Sequence, residues 1–194
     1  MARPREFEAA AVLDAAMDCF WDRGYSATSV RDLSDATRLA LPSLYNAFGG
    51  KSELFRTALD RYFDRNTRPR LEKLAMAESP LRAIRAFLTD LVNRAISDRR
   101  RRGCLLINSA VELASCDKEV VPTIRDYLSR MEAFLCAALH AAKTKGELSR
   151  SANPRDLARL LLSVIVGIRV LARTRPERGL LEGIVSSAMA SLQR

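Results

Sequence analysis

Turn chemistry is scarce in this chain: eight glycines and seven prolines in 194 residues are too few for a protein built of many short strands. Aromatic residues supply only 6% of the sequence, which agrees with that exclusion. The single histidine, His140, and the four cysteines, Cys19, Cys104, Cys116 and Cys136, form no C-x-x-C pair and no metal-site spacing, so neither a metal nor a cofactor is expected. No apolar stretch follows a basic start at the N-terminus, so the sequence implies a cytoplasmic, reducing location in which a disulfide framework has no place. The longest apolar run, residues 160–168, is bracketed by Arg159 and Arg169 and falls far short of the ~20 residues that span a bilayer. Catalytic pairing is also missing. His140 lies far in sequence from any Ser or Cys that it could activate, no pair of carboxylates stands out, and no enzyme is expected.

What the chain does have is a hydrophobic content of 48% and a formal charge of +9. The first is enough to bury a core. The second makes a polyanion the natural partner, because cations set against phosphates release condensed counterions; the alternative is that the charges solvate helix faces.

Apolar residues recur at three- and four-residue intervals through almost the whole sequence, which predicts an all-α protein of about nine helices. Over residues 6–23 the stripe is Val12, Leu13, Ala16, Cys19 and Phe20, and Gly24 ends it. Thr28 and Ser29 can cap a short helix over 30–36, and a third helix over 42–48 has Leu44, Ala47 and Phe48 on its inner side. A fourth, 51–75, shows Leu54, Phe55, Ala58, Leu59 and Tyr62. Ser79 with Pro80 and Asn153 with Pro154 are cap-then-Pro starts for the fifth and eighth helices. The sixth covers 104–114, the seventh ends at Gly146, and the ninth covers 177–192. The expected organisation is a DNA-binding domain over 1–50, braced by 51–60, followed by a helical domain over 51–194.

The short helix, break, short helix and bracing helix over residues 29–55 have the layout of a helix-turn-helix. If Leu44, Ala47 and Phe48 point inward, Ser43 and Asn46 lie outside one turn apart, with Tyr45 at the flank. Small polar groups there reach base edges, and a tyrosine hydroxyl suits a phosphate. The segment resembles the tetracycline-repressor (TetR) family through Ala15, Ala16, Phe20, Gly24, Tyr25, Thr28, Ser29, Leu44, Tyr45, Phe48, Lys51 and Leu54. The resemblance covers about residues 8–60. It implies that Thr28, Ser29, Tyr45 and Lys51 bind phosphates and that Arg31, Ser43 and Asn46 lie nearest the bases. Where the family has Gly in the turn and Ser or Thr as the cap of the recognition helix, this chain has Arg38 and Ala40, and Leu41 and Pro42 open the helix. Arg38 is either a further phosphate contact or a solvated side chain.

The last two helices carry more apolar surface than one small domain can hide. Leu157, Leu161, Val164 and Ile168 form one seam while Leu160 and Ile165 cover a second side, and Leu181, Ile184 and Ala188 follow on the final helix, which predicts a homodimer interface, the alternative being an ordinary buried helix pair. The resemblance implies an effector pocket among the fourth to seventh helices, with Phe63, Phe87, Leu91, Cys104, Leu106, Asn108, Glu112, Tyr127, Met131 and Phe134 as lining candidates. Asn108 and Glu112, one turn apart, would orient a lipophilic or aromatic effector. Cys104 follows Arg99, Arg100, Arg101, Arg102 and Gly103 at a predicted helix start, an environment that favours thiolate. It is either an electrophile or oxidant sensor, as in some TetR-like repressors, or a small buried residue. Cys116, twelve residues on, would stand ~18 Å away on one continuous helix and out of disulfide reach. The functional expectation is a regulator, most simply a repressor, bound to a palindromic double-stranded operator and released by an effector. The rival is a basic architectural DNA-binding protein without an effector.

Overall fold

The computed structural model describes residues 3–114 and 119–192, with side chains from Ala9 onward in the first helix. Its helices are α1 (Arg3–Arg23), α2 (Val30–Thr37), α3 (Leu41–Phe48), α4 (Lys51–Tyr62), α5 (Arg68–Ala75), α6 (Pro80–Ser97), α7 (Leu105–Leu113), α8 (Val121–Thr144), α9 (Pro154–Thr174) and α10 (Arg178–Leu192). A π-helical turn, Phe63–Thr67, joins α4 to α5. Counted as one rod, residues 51–75 bring the helices among the described residues to the expected nine.

That rod departs from the uninterrupted helix predicted from periodicity, and Pro69 explains the departure. Proline has no N–H to donate and its ring crowds the carbonyl one turn back, so the helix loosens into a wider turn before it resumes. Phe63 stays buried through the π turn, and Leu71 and Leu74 are buried on α5.

The chain divides into two compact units, residues 1–67 with 104–125, and residues 68–103 with 126–194. In the first, α1 packs against α2 and α4 around Ala16, Phe20, Leu33, Leu54, Phe55, Ala58 and Leu59. Phe20 meets Phe55 edge-on at 4.8 Å between centroids, and Trp21 meets Tyr62 edge-on at 4.9 Å, geometry that aromatic quadrupoles favour. Arg61 grips Asp14 with two nitrogens, at 2.8 and 2.9 Å, and Arg65 also pairs with it. The Arg61 hydrogen bonds hold the Asp14 carboxyl below its ordinary range, against the opposing effect of burial. The contribution of this cluster to stability is therefore complete above the usual carboxylate pKa and is lost as acid protonates Asp14.

In the second unit, α10 packs on α9 and α6, and α6 packs on α5. Ser79 caps α6 without a side-chain hydrogen bond. The need is met from elsewhere in the unit, since the Leu81 N–H donates to Glu147 Oε2 at 2.8 Å. Asn153 caps α9 as the sequence suggests, accepting from the Arg155 N–H at 3.1 Å. The dimer seam needs correcting. Leu161, Ile168 and Leu181 are fully buried inside the protomer and have no surface to offer a partner. Val164, Ile184 and Ala188 of the expected set do line an open apolar groove, together with Leu160, Leu180 and Gly183, and Leu160 is 39% exposed. The sequence shows two apolar sides on α9, and the protomer draws its own core from both, burying Leu161 and Ile168 of one and Ile165 of the other while Val164 and Leu160 stay on the groove.

Cys104 is buried, Cys19 and Cys136 are half-buried, and all three are free thiols. Burial pushes the Cys19 thiol up. Cys116 lies outside the described residues. No helix among the described residues is long and apolar enough to cross a membrane.

Candidate nucleic-acid interface

The head of the first unit is built from two very short helices, each of which needs help to form. For α2 the help is a capping box: the Asp32 N–H donates to Ser29 Oγ at 3.1 Å and the Ser29 N–H returns a bond to Asp32 Oδ2 at 2.8 Å, satisfying two end donors reciprocally. Hydrogen bonding from Ser29, together with pairing to Arg23, keeps the Asp32 carboxyl below its ordinary range. A negative charge that would repel DNA is thereby matched at the surface.

For α3 the help is different. Its N-cap, Ala40, makes no side-chain bond, Pro42 presets the first turn, and Gly49 closes the helix in the left-handed region with its N–H on the Tyr45 carbonyl. The turn from α2 is held by Ser34, whose hydroxyl donates to the Leu39 carbonyl at 2.6 Å. Arg38 adopts φ 58° and ψ 25°, the left-handed conformation that glycine adopts without strain. Relieving it should stabilise the protein: Arg38→Gly is expected to gain about 1 kcal/mol, seen as a rise of roughly 2–4 °C in Tm by thermal unfolding. A fall in Tm would mean that the Arg38 side chain makes a compensating contact.

Leu44 is the buried anchor of α3. Around it Ser29, Arg31, Arg38, Leu41, Pro42, Ser43, Tyr45 and Asn46 are all exposed, so this part of the expected contact set forms an open surface over α2 and α3. Leu41 is 41% exposed and Tyr45 47%, so α3 offers apolar as well as polar atoms at this surface. Two expectations are corrected. Ala47 is exposed rather than inward, because an eight-residue helix anchored by Leu44 turns that position outward. Thr28 is 0% exposed, and its hydroxyl donates to the Gly24 carbonyl at 2.6 Å; it is part of the turn and offers no side-chain atom to a phosphate.

Lys51, at the start of α4, holds its ammonium 4.3 Å from the centroid of the Tyr25 ring, a cation–π arrangement. Burial pulls its pKa down from the ordinary value, and the negative charge of Glu112 opposes that shift. Tyr25 in turn lies against Phe55 and Phe20.

Glu112 differs most from its expected place. Paired in sequence with Asn108 as an effector-orienting group, it points its carboxylate at the α1–α2 turn, where it accepts the Tyr25 N–H at 3.1 Å and the Ser26 N–H at 2.6 Å. Nothing in local sequence predicts a partner so far along the chain. Of the other effector candidates, Phe63, Leu91, Cys104, Leu106, Tyr127 and Met131 are buried and Phe87, Asn108 and Phe134 are half-buried. Phe87 lines a groove of about 280 Å³ between α5 and α6, rimmed by Arg70, Lys73, Asp90 and Arg94.

Comparison with known proteins agrees with this geometry. Residues 12–58 match the model of the tetR family of bacterial regulatory proteins, and residues 80–186 match a tetracyclin repressor-like C-terminal domain. The chain is 33% identical to the HTH-type transcriptional repressor ComR of Escherichia coli over 88% of its own length and 82% of that protein's. It is 30% identical to the regulator YezE of Bacillus subtilis, over 99% and 100% of the two chains. Among solved structures, a cysteine-substituted variant of the TetR-family regulator CifR, complexed with 26-base-pair operator DNA, superposes with a TM-score of 0.85 at 30% identity, over 94% of this chain and 95% of that one. Two family models that together span both helical regions, and a relative that aligns from end to end, establish that this chain belongs to the TetR family of bacterial regulatory proteins.

Proposed function

We propose that the protein is a homodimeric transcriptional repressor of the cytoplasm that reads a palindromic double-stranded operator and leaves it when an effector binds. Residues 1–50, braced by 51–60, read DNA, and residues 51–194 sense the effector and dimerise. The observation that carries this reading is the exposed surface over α2 and α3, where Arg31, Ser43, Tyr45 and Asn46 surround the buried anchor Leu44. The operator complex of CifR and the repressor relative ComR support the same role. Membership in a family of regulators favours a binding function over an enzymatic one.

Footprinting on the DNA that flanks the protein's own gene tests the reading. A protected palindrome is expected, with two half-sites about one helical turn apart, or a multiple of that. Equal affinity for that site and for a scrambled duplex at matched salt would favour the architectural rival instead.

For the effector, the candidates of the second unit, buried Leu91, Tyr127 and Met131 with half-buried Phe87 and Phe134, support a lipophilic or aromatic small molecule. The electrophile branch rests on Cys104. At 7% exposure its sulfur is shielded, so the reagent has to be small or the helix start has to open. Operator release by an alkylating quinone, compared between wild type and Cys104→Ser, separates the branches. Identical release by both proteins removes Cys104 from the mechanism.

A further inference from the structure

Two backbone donors of the turn that feeds the helix-turn-helix are satisfied by a side chain from a distant helix, Glu112 of α7. One carboxylate takes both the Tyr25 and the Ser26 N–H, a charge-assisted pair of the strong kind. Gly24 makes the approach feasible: its φ is +86°, and a Cβ there would lie 2.8 Å from Glu112 Oε2. Directly after this turn come Thr28, whose hydroxyl closes back on Gly24, and the capping box that starts α2. On the other side of the same turn, the Tyr25 ring carries the Lys51 ammonium. A second carboxylate from just beyond α7, Glu119, accepts the Ser52 hydroxyl at 3.2 Å, so the start of α4 is tied to the same segment.

We infer that Glu112 is a positioning residue for DNA binding: it fixes the Gly24–Tyr25–Ser26 turn and so sets where the α2 N-terminus and Lys51 meet the phosphates. This inference rests on the DNA-binding reading above. Because α7 is short and regular, with Asn108 one turn before Glu112, any ligand that shifts α7 along or about its axis moves the carboxylate off two N–H groups at once. Hydrogen bonds weaken steeply with distance and misalignment, so a small displacement suffices to free the turn. The head then loses the fixed spacing between its phosphate contacts without any change in those contacts' chemistry.

The test compares wild type, Glu112→Gln, Glu112→Asp and, as a control on the exposed side of the same helix, Val111→Ser. The probes are the footprinted duplex and a scrambled duplex of equal length. Three quantities are read: affinity as a function of salt, Tm, and amide hydrogen exchange at Tyr25 and Ser26. Glu112→Gln replaces one acceptor oxygen with a donor that faces an N–H. It is expected to speed exchange at both amides and to lower operator affinity roughly ten- to hundredfold, with Tm within about 4 °C of wild type. The slope of log affinity against log salt should become shallower by about 1 as the Lys51 contact is lost. Glu112→Asp keeps both acceptors on a shorter stem and should recover part of the affinity, and Val111→Ser should match wild type throughout. Faster exchange with unchanged affinity and salt slope would overturn the positioning role and leave a purely structural clasp. Unchanged exchange would overturn the clasp itself. Wild type binding both duplexes equally would instead count against the repressor reading, and the Glu112→Gln comparison, read on either duplex, would still decide this one.

Discussion

Ile184→Asp is expected to convert the operator-binding dimer into a monomer and to lower operator affinity by roughly two to four orders of magnitude, the gain that linking two half-site readers confers. The reason is the groove that Leu160, Val164, Leu180 and Ile184 form along α9 and α10. Docked on a second copy across a two-fold axis, each substitution is felt twice, because the same patch is used by both subunits. A carboxylate placed there is buried without a cation to match it, at a cost of several kcal/mol per copy. Stable dimers bury roughly 1,200–2,000 Å² in total, and two adjacent helix faces can supply that area. Ile184 is half-buried in the protomer, so part of the effect could be loss of protomer stability. Leu160→Asp, at a more exposed position, separates the two effects: it should also dissociate the dimer while leaving the thermal unfolding of the monomer almost unchanged. Sedimentation velocity gives the mass and titration of the operator gives the affinity. Variants that remain dimeric with unchanged affinity would place the interface elsewhere.

The same two helices show where sequence reading stops. Periodicity announced apolar seams on α9 and α10 and their caps, and these features are local. It could not say which residues of the two apolar sides of α9 a protomer keeps for itself, because the choice depends on what α6 and α10 present to it. Leu161, Ile165 and Ile168 went inward, and Leu160 and Val164 stayed on the groove. On α3 the anchor Leu44 was legible, yet Ala47 turned out exposed, because a two-turn helix has too few residues for its stripe to fix orientation. The interruption after Tyr62 was written in the sequence as Pro69, which a stripe of leucines and aromatics masks when read for apolar spacing alone. Glu112 was visible only as a polar residue on an apolar helix. Its partners are main-chain N–H groups of Tyr25 and Ser26, which carry no sequence signal. The one hint was Gly24 itself, at a position that needs both positive φ and room for a carboxylate.

The surface over α2 and α3 makes a different kind of prediction, in which the salt dependence and the base preference separate three roles. Tyr45 is exposed on α3, and a phenol donating to a phosphate displaces no counterion. Tyr45→Ala is therefore expected to weaken binding to every sequence by a similar factor, roughly tenfold, without altering the slope of log affinity against log salt. Lys51→Gln removes a cation. It should weaken binding to all sequences too, but with a slope shallower by about 1. Asn46→Ala removes a side chain with one donor group and one acceptor, the set that pairs with an adenine edge in the major groove. Its expected signature is a loss of about 1–3 kcal/mol on the natural operator that shrinks or vanishes when one symmetric pair of base pairs is exchanged, with the salt slope unchanged. Ser43→Ala should act in the same way, and more weakly, at a neighbouring pair. The measurement is a set of titrations over operator variants at two salt concentrations. If Asn46→Ala lowers affinity equally for every variant, Asn46 meets the backbone; if Tyr45→Ala changes the preferred base, the tyrosine reads sequence. Either result would mean that α3 lies in the groove rotated about its axis from the orientation that its buried Leu44 implies, with the flank and the reading face exchanged.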